Sequence, residues 1–284
     1  MNKNKLISIC ADDFGITDKV DKTIVDLLKK KRITETSCMV LSENFKNSSK
    51  ELKKIPFEFG SGIHLTLTDF HSLTSPKSIS KDGKLLSFKD LFIKIYKKEV
   101  LAEEISKEIN AQLDSFENLM DSKPDFIDGH HHIHQLSLIR DLIFDILKKR
   151  YKNSLPWVRN TYEDKFIILK IKISLFKTFL ISYYGYKLKK KAILNNFKTN
   201  NGFSGIYDFK QNSNYKKLFV NFIKSINDKH LLMVHPGESD ENLQKIDSVT
   251  STRNLERDFL KSDDFLNILE ENSVELRPLH TIIS

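Results

Sequence analysis

Two adjacent carboxylates, Asp12 and Asp13, end one short apolar run, and four histidines, His130, His131, His132 and His134, follow Asp128 at the end of another. His64 and His235 each close a further apolar run. Neighbouring like charges are costly to desolvate unless a cation lies between them or one holds a proton, so the acid pair asks for a metal. One carboxylate with two imidazoles holds a divalent ion and leaves positions open for water. The second carboxylate then has a separate task, taking a proton from that water as general base, while a histidine from another strand protonates the leaving group. Neither Cys10 nor Cys38 has the partners of a catalytic thiol, and no Gly-x-Ser-x-Gly, Gly-x-Gly-x-x-Gly or P-loop pattern occurs. The motifs therefore give no support to covalent serine or cysteine catalysis or to a nucleotide-phosphate loop.

Such side chains must be delivered by strands. Residues 6–10 are apolar and too few for a helix, and Gly15 permits a tight turn after the acids. Residues 18–31 place apolar side chains at 20, 24, 25 and 28 with lysines at the far end, the pattern of an amphipathic helix. A strand over 33–41 completes a βαβ start and predicts a parallel sheet. A short helix over 44–54 and a strand over 57–67, ending near His64, follow. The polar, aperiodic stretch 69–86 reads as a loop over the strand ends, and 88–120 as long helical patterning closed by Lys123-Pro124.

Residues 125–134 read as a brief strand running into the histidine cluster; along an extended chain His130 and His132 share a side and are rival ligands. Then come a helix over 136–150, a strand around Trp157, Val158 and Arg159, a loop over 202–205, a strand over 230–235, a helix over 252–271 and a strand over 274–277. In parallel α/β sheets and barrels ligands bind at the carboxyl ends of the strands. The acids and histidines, scattered along the chain, are therefore expected to converge.

The 284 residues suit one α/β barrel, so a single domain over 1–284 is expected. The composition, 39% hydrophobic and 30% charged, is that of a globular chain rather than a disordered one. The two cysteines sit in apolar runs and read as buried thiols of a reducing compartment. The basic N-terminus is followed by an apolar run that meets Asp12 too soon for a signal peptide, which predicts a cytoplasmic location. The net charge of +8 is local: residues 165–207 hold nine lysines and no acid, and no arginine is interleaved there as a nucleic-acid-binding face would require. Within that segment Lys170, Lys172 and Lys177 interrupt the apolar run over 166–197, so it does not span a membrane. Two readings stay open for this helical stretch at about 165–200, a core helix with solvated lysines or an interfacial helix drawn to anionic lipid.

Ala11-Asp12-Asp13-Phe14-Gly15, Gly62-Ile63-His64-Leu65-Thr66-Leu67, Asp128-Gly129-His130-His131-His132-Ile133-His134 and His235-Pro236 stand in this order over nearly the whole chain. In these motifs the chain resembles the YdjC-like carbohydrate deacetylases. The resemblance implies a deformed TIM-like (β/α) barrel and metal-dependent removal of acetyl from an N-acetylated sugar. Carried over by position, it makes Asp13, His64 and His130 the metal ligands, Asp12 the base, His235 the acid and Arg159 a substrate-binding residue. It also implies magnesium, whereas two imidazoles favour a zinc-like ion; both stay open. The expected partner is the sugar and not nucleic acid, with a homodimer and peripheral membrane contact through 166–197 left open. Two other classes compete: a metal phosphoesterase, commonly with two ions about 4 Å apart, and a basic surface binder whose salt-dependent association would survive Asp12→Asn.

Overall fold

The chain is built on one parallel sheet, seen in a computed structural model that describes residues 4–152 and 154–283. In chain order the strands are β1 (Lys5–Phe14), β2 (Glu35–Cys38), β3 (Gly60–Leu65), the pair β4 (Ser80–Lys81) and β5 (Lys84–Leu85), then β6 (Phe126–Gly129), β7 (Trp157–Val158), β8 (Phe203–Ser204), β9 (His230–Val234) and β10 (Val274–Leu276). The main sheet runs β7-β6-β3-β2-β1-β9-β8, with β10 also paired to β1, and every pairing in it is parallel. Parallel sheets are covered on both faces, so their strands are apolar throughout. Ile7, Ile9, Ala11, Ile63, Ile127 and Leu232 are accordingly inaccessible to solvent.

The sheet curls toward closure without a continuous ladder. Between the end strands β7 and β8, the Val158 N–H donates to the Lys198 carbonyl (3.0 Å), and the Asn160 and Asn200 side-chain amides each donate to the other's carbonyl (2.5 and 2.8 Å). Side chains stand in for strand pairing there, which makes this a deformed TIM-like barrel.

Helices pack outside the strands. Asp18–Lys29 starts where the Thr17 hydroxyl accepts from the Val20 N–H, and it buries Val20, Ile24, Leu27 and Leu28. The stretch 88–120 is two helices, Phe88–Tyr96 and Ala102–Met120, and 252–271 likewise splits into Ser251–Lys261 and Asp263–Glu271. The loop 69–86 contains the small antiparallel β4–β5 pair. It is fixed by Glu108, which accepts from the Leu73 and Thr74 N–H groups, and by Glu104, which accepts from Ser78. Residues 202–205, expected as a loop, contain β8, too short to show a period. The helix Tyr215–Ile223 was not foreseen.

The lysine-rich stretch forms two helices, Lys165–Ile171 and Leu175–Leu194, broken where Lys172 and Ser174 adopt left-handed backbone. Among the described residues no helix is long and apolar enough to cross a membrane.

Candidate active site

The site gathers at the carboxyl ends of β1, β3, β6 and β9. Side chains alternate along a strand, so Asp12 and Asp13 would ordinarily face opposite ways. β1 avoids this with a bulge: Ala11 pairs with Thr36 and Phe14 with Cys38, so one extra residue is inserted, and Asp13 takes left-handed backbone (φ 66°). Gly15, at φ 101°, then turns the chain tightly against the Met39 carbonyl, where a Cβ would come within 2.5 Å.

Asp13 Oδ1 lies 3.3 Å from His64 Nε2 and 3.2 Å from His130 Nδ1. These three buried residues can each turn a ligand atom into a space less than 4.8 Å across. His64 is oriented from behind, because its Nδ1 lies 2.7 Å from Asp128 Oδ1, its direct neighbour on β6. The Ser37 hydroxyl donates to the same carboxylate oxygen. A carboxylate behind a histidine fixes the ring and frees Nε2 for a metal.

Arg253, fully buried, places its Nη2 2.5 Å from both Asp13 Oδ2 and Asp247 Oδ2. Burial would raise the Asp13 pKa, but the Arg253 charge and the hydrogen bonds of His130 and His64 outweigh it and hold the carboxyl well below its usual range. For His64 burial works downward, and the Asp128 charge and hydrogen bond, with Asp13 adding to them, lift it to about 10.

Asp12 faces the other guanidinium. Arg159 Nη1 and Nη2 donate to its two oxygens at 2.6 and 2.7 Å, and Nη2 also lies 2.7 Å from Asp128 Oδ2 and 3.0 Å from Cys10 Sγ. Cys10, Asp12 and Asp128 form a second acid-rich group, but a permanent cation already occupies it. Arg159 is wholly inaccessible, so its guanidinium meets carboxylates rather than open space. His235 lies beyond Asp13, with Nε2 3.9 Å from Asp13 Oδ2, its backbone N–H donating to Glu256 Oε2 (2.6 Å) and its ring edge-on to Phe209. Burial, only partly offset by Asp13 and Asp12, pushes its pKa down to about 4. With side chains 11% and 13% exposed, His130 and His235 are more open than the acids and arginines beside them.

The histidine cluster is not extended. After β6 it forms a tight 3-10 turn over His130–Gln135, with His131 and His132 in left-handed backbone. The turn separates the expected rivals: His130 meets Asp13, whereas the His132 ring packs against Phe203. The exposed His131 meets Thr68 and Phe88, and His134 donates to the Arg159 carbonyl. Side-chain alternation does not apply here, because the chain turns where the pattern predicts a strand. Of the other residues around the acids, Arg253 and Ser37 are absent from the sequence motifs, and Asp128 stands in one without an assigned task. Only Asp128 carried a signal, its place immediately before the cluster.

The donor set fits a divalent metal. A four- to six-coordinate ion with bonds of about 2.0–2.1 Å holds neighbouring donors roughly 3–3.4 Å apart; Asp13 Oδ1 lies 3.2 and 3.3 Å from the two ring nitrogens, and the three donor atoms are all within 4.8 Å of one another. The carboxylates of Asp12, Asp13, Asp128 and Asp247 share only two guanidiniums. A dication would offset the excess negative charge that His64 otherwise offsets with a proton.

The chain is 30% identical over 145 residues to a chitooligosaccharide deacetylase of Proteus mirabilis, a match covering 51% of this chain and just over half, 56%, of that protein. It is 25% identical over 276 residues to a carbohydrate deacetylase of Thermoanaerobacter pseudethanolicus, covering 96% and 97% of the two chains. Its fold is shared with a protein of Enterococcus faecalis V583, provisionally described as a cellobiose-phosphate cleavage protein, at a TM-score of 0.75 and 21% identity, covering 99% of this chain and 100% of that one. Residues 6–271 match the family model described as YdjC-like protein, and the chain belongs to that family.

Proposed function

We propose that the chain is a metal-dependent carbohydrate deacetylase, hydrolysing the acetamide of an N-acetylated amino sugar to acetate and a free amine. What supports this most is the pairing of Asp13, His64 and His130 in one buried group with a second carboxylate, Asp12, held beside it by Arg159. Asp13, His64 and His130 would hold the ion, with Asp128 orienting His64 and Arg253 fixing the far oxygen of Asp13. When bound, the ion would polarise the acetamide carbonyl and acidify a neighbouring water. Asp12 takes that water's proton, its carboxylate aimed by the two-pronged contact with Arg159. We read Arg159 as positioning the base rather than touching the sugar. His235, on the other side of Asp13, is neutral at rest with its pKa near 4, so the proton that Asp12 takes from the water would be handed on through His235 to the departing nitrogen. Magnesium as the native ion and a cytoplasmic location belong to this reading, supported by the family resemblance and by the two buried free thiols.

A two-metal phosphoesterase is disfavoured by one observation: the Arg159 guanidinium stands where the second ion would have to bind. Acetate release from a panel of N-acetylated sugars, free and lipid-linked, tests the proposal when metal content is measured on the same sample. Acetate release with close to one ion per chain is expected. Phosphate-ester hydrolysis with two ions, or no acetate from metal-loaded protein, overturns it.

A further inference from the structure

The helix Leu175–Leu194 sorts its side chains by size rather than by polarity, the reverse of an ordinary surface helix. Its inner face carries small residues, Ser182, Gly185 and Ala192, with Leu188. At Gly185 the helix lies so close to the chain that a Cβ would come within 2.4 Å of the Tyr162 nitrogen. Its large side chains point away. Phe176, Leu180, Tyr183, Lys187, Lys190 and Leu194, at i, i+4, i+7, i+11, i+14 and i+18, share one face, and Phe176, Tyr183 and Leu194 are 84%, 52% and 80% exposed. The preceding helix Lys165–Ile171 adds Phe166, 70% exposed. A face of this kind marks an interaction site.

Charge indicates the occupant. Residues 165–207 contain nine lysines and no acid, and Lys187 and Lys190 lie over the rings of Tyr183 and Tyr186, at 4.4 and 4.7 Å from their centres. A second copy docked here by a twofold axis would set this face against itself, and the carboxylates that border it are already engaged within the chain, Asp141 with Arg140 and Lys191, Asp164 as the cap of Lys165–Ile171 and Asp208 with the Ser174 hydroxyl. Anionic head groups meet the lysines, while aromatic and aliphatic side chains enter the boundary beneath. The patch is also continuous with the site. A row of ring contacts runs from His130 through His131, Phe88, Phe92 and Tyr184 to Tyr183.

We propose that the outward face of Leu175–Leu194, with Lys165–Ile171, docks the protein on an anionic lipid surface. Co-sedimentation of the full chain with vesicles tests it, comparing phosphatidylglycerol mixed into phosphatidylcholine with phosphatidylcholine alone. Binding to the anionic vesicles at low salt, lost as salt rises, is expected. Lys187→Gln with Lys190→Gln should weaken it by roughly tenfold or more, and Phe176→Ser with Leu180→Ser should abolish it. All four positions are exposed, so circular dichroism and the melting temperature should stay as in the parent chain. If the parent protein ignores anionic vesicles, or both double variants bind as it does, the proposal falls. It also falls if sedimentation velocity shows a dimer that Phe176→Ser with Leu180→Ser dissociates while vesicles remain unbound, since the face then belongs to a second copy.

Discussion

Asp12 and Asp13 are neighbours of the same type, yet each has its own arginine: Arg159 grips both oxygens of Asp12, and Arg253 takes one oxygen of Asp13 and leaves the other to His64 and His130. On the proposed mechanism this divides their labour. Asp12→Asn should keep the metal and lose turnover by at least about 100-fold, the scale of a missing general base. Asp13→Ala or His64→Ala should lose metal and activity together. Metal analysis beside initial rates checks this, and the assignment is reversed if Asp12→Asn empties the site while Asp13→Asn does not. Asp128→Asn retains all three proposed ligands but should loosen His64, so metal affinity should fall by roughly 10- to 100-fold; unchanged affinity in a metal titration would leave Asp128 no orienting role. The residues that surround Asp13 from β1, β3, β6 and β9 were legible because each closes an apolar run. Arg253 was not: it sits in an ordinary amphipathic helix, and only folding brings it 2.5 Å from an acid 240 residues away.

The strands were legible where length or apolar content made a signal, and the site's geometry depends on features that have no period. The bulge after Ala11 and the turn over His130–Gln135 decide which way four side chains point, and both rely on left-handed backbone at Asp13, His131 and His132. Hydrophobic pattern does not encode such backbone. The two-residue strand β8, paired to β9, is too short to leave a signal of its own, and its link to β7 across the gap in the barrel runs through the Asn160–Asn200 amides. The helix Leu175–Leu194 left its orientation open in the sequence because apolar residues occupy nearly all of its circumference, and the structure resolves this by size. Gly185→Ala tests that packing. The added methyl meets the backbone at Tyr162 and Thr161, which cannot swing aside as a side chain tip can. Despite the better helix propensity of alanine, the variant should be less stable by about 1–3 kcal/mol. A denaturant midpoint at or above that of the parent chain would show that the helix has room to move outward.

The barrel keeps its chemistry at one end and a buried acid at the other. Glu35 opens β2, is fully buried, and accepts the Leu279 N–H on Oε1 (2.7 Å), while Oε2 has no hydrogen-bond partner among the described residues. It thereby ties the segment after β10 to the amino ends of the strands, and Gly60 leaves room for its side chain. Burial raises its pKa from 4.5 to about 8, against the pull of the Leu279 N–H and the Ser8 hydroxyl. The folded chain then holds this proton more tightly than the unfolded chain. Stability from the group is full below about pH 4.5 and is lost as pH rises toward 8, by up to about 1.4 kcal/mol per pH unit. Glu35→Gln retains an acceptor for Leu279 and has no proton to lose. Relative to the parent chain, its melting temperature should be lower or equal near pH 5.5 and should gain steadily to pH 8.5, with the two curves converging or crossing. Asp21, Glu163 and Glu256, each raised to about 7 chiefly by burial, impose the same slope on both proteins and cancel in the difference. A melting-temperature difference that stays constant across this range would mean that Glu35 is already ionised in the folded protein, with a second donor or bound water satisfying Oε2.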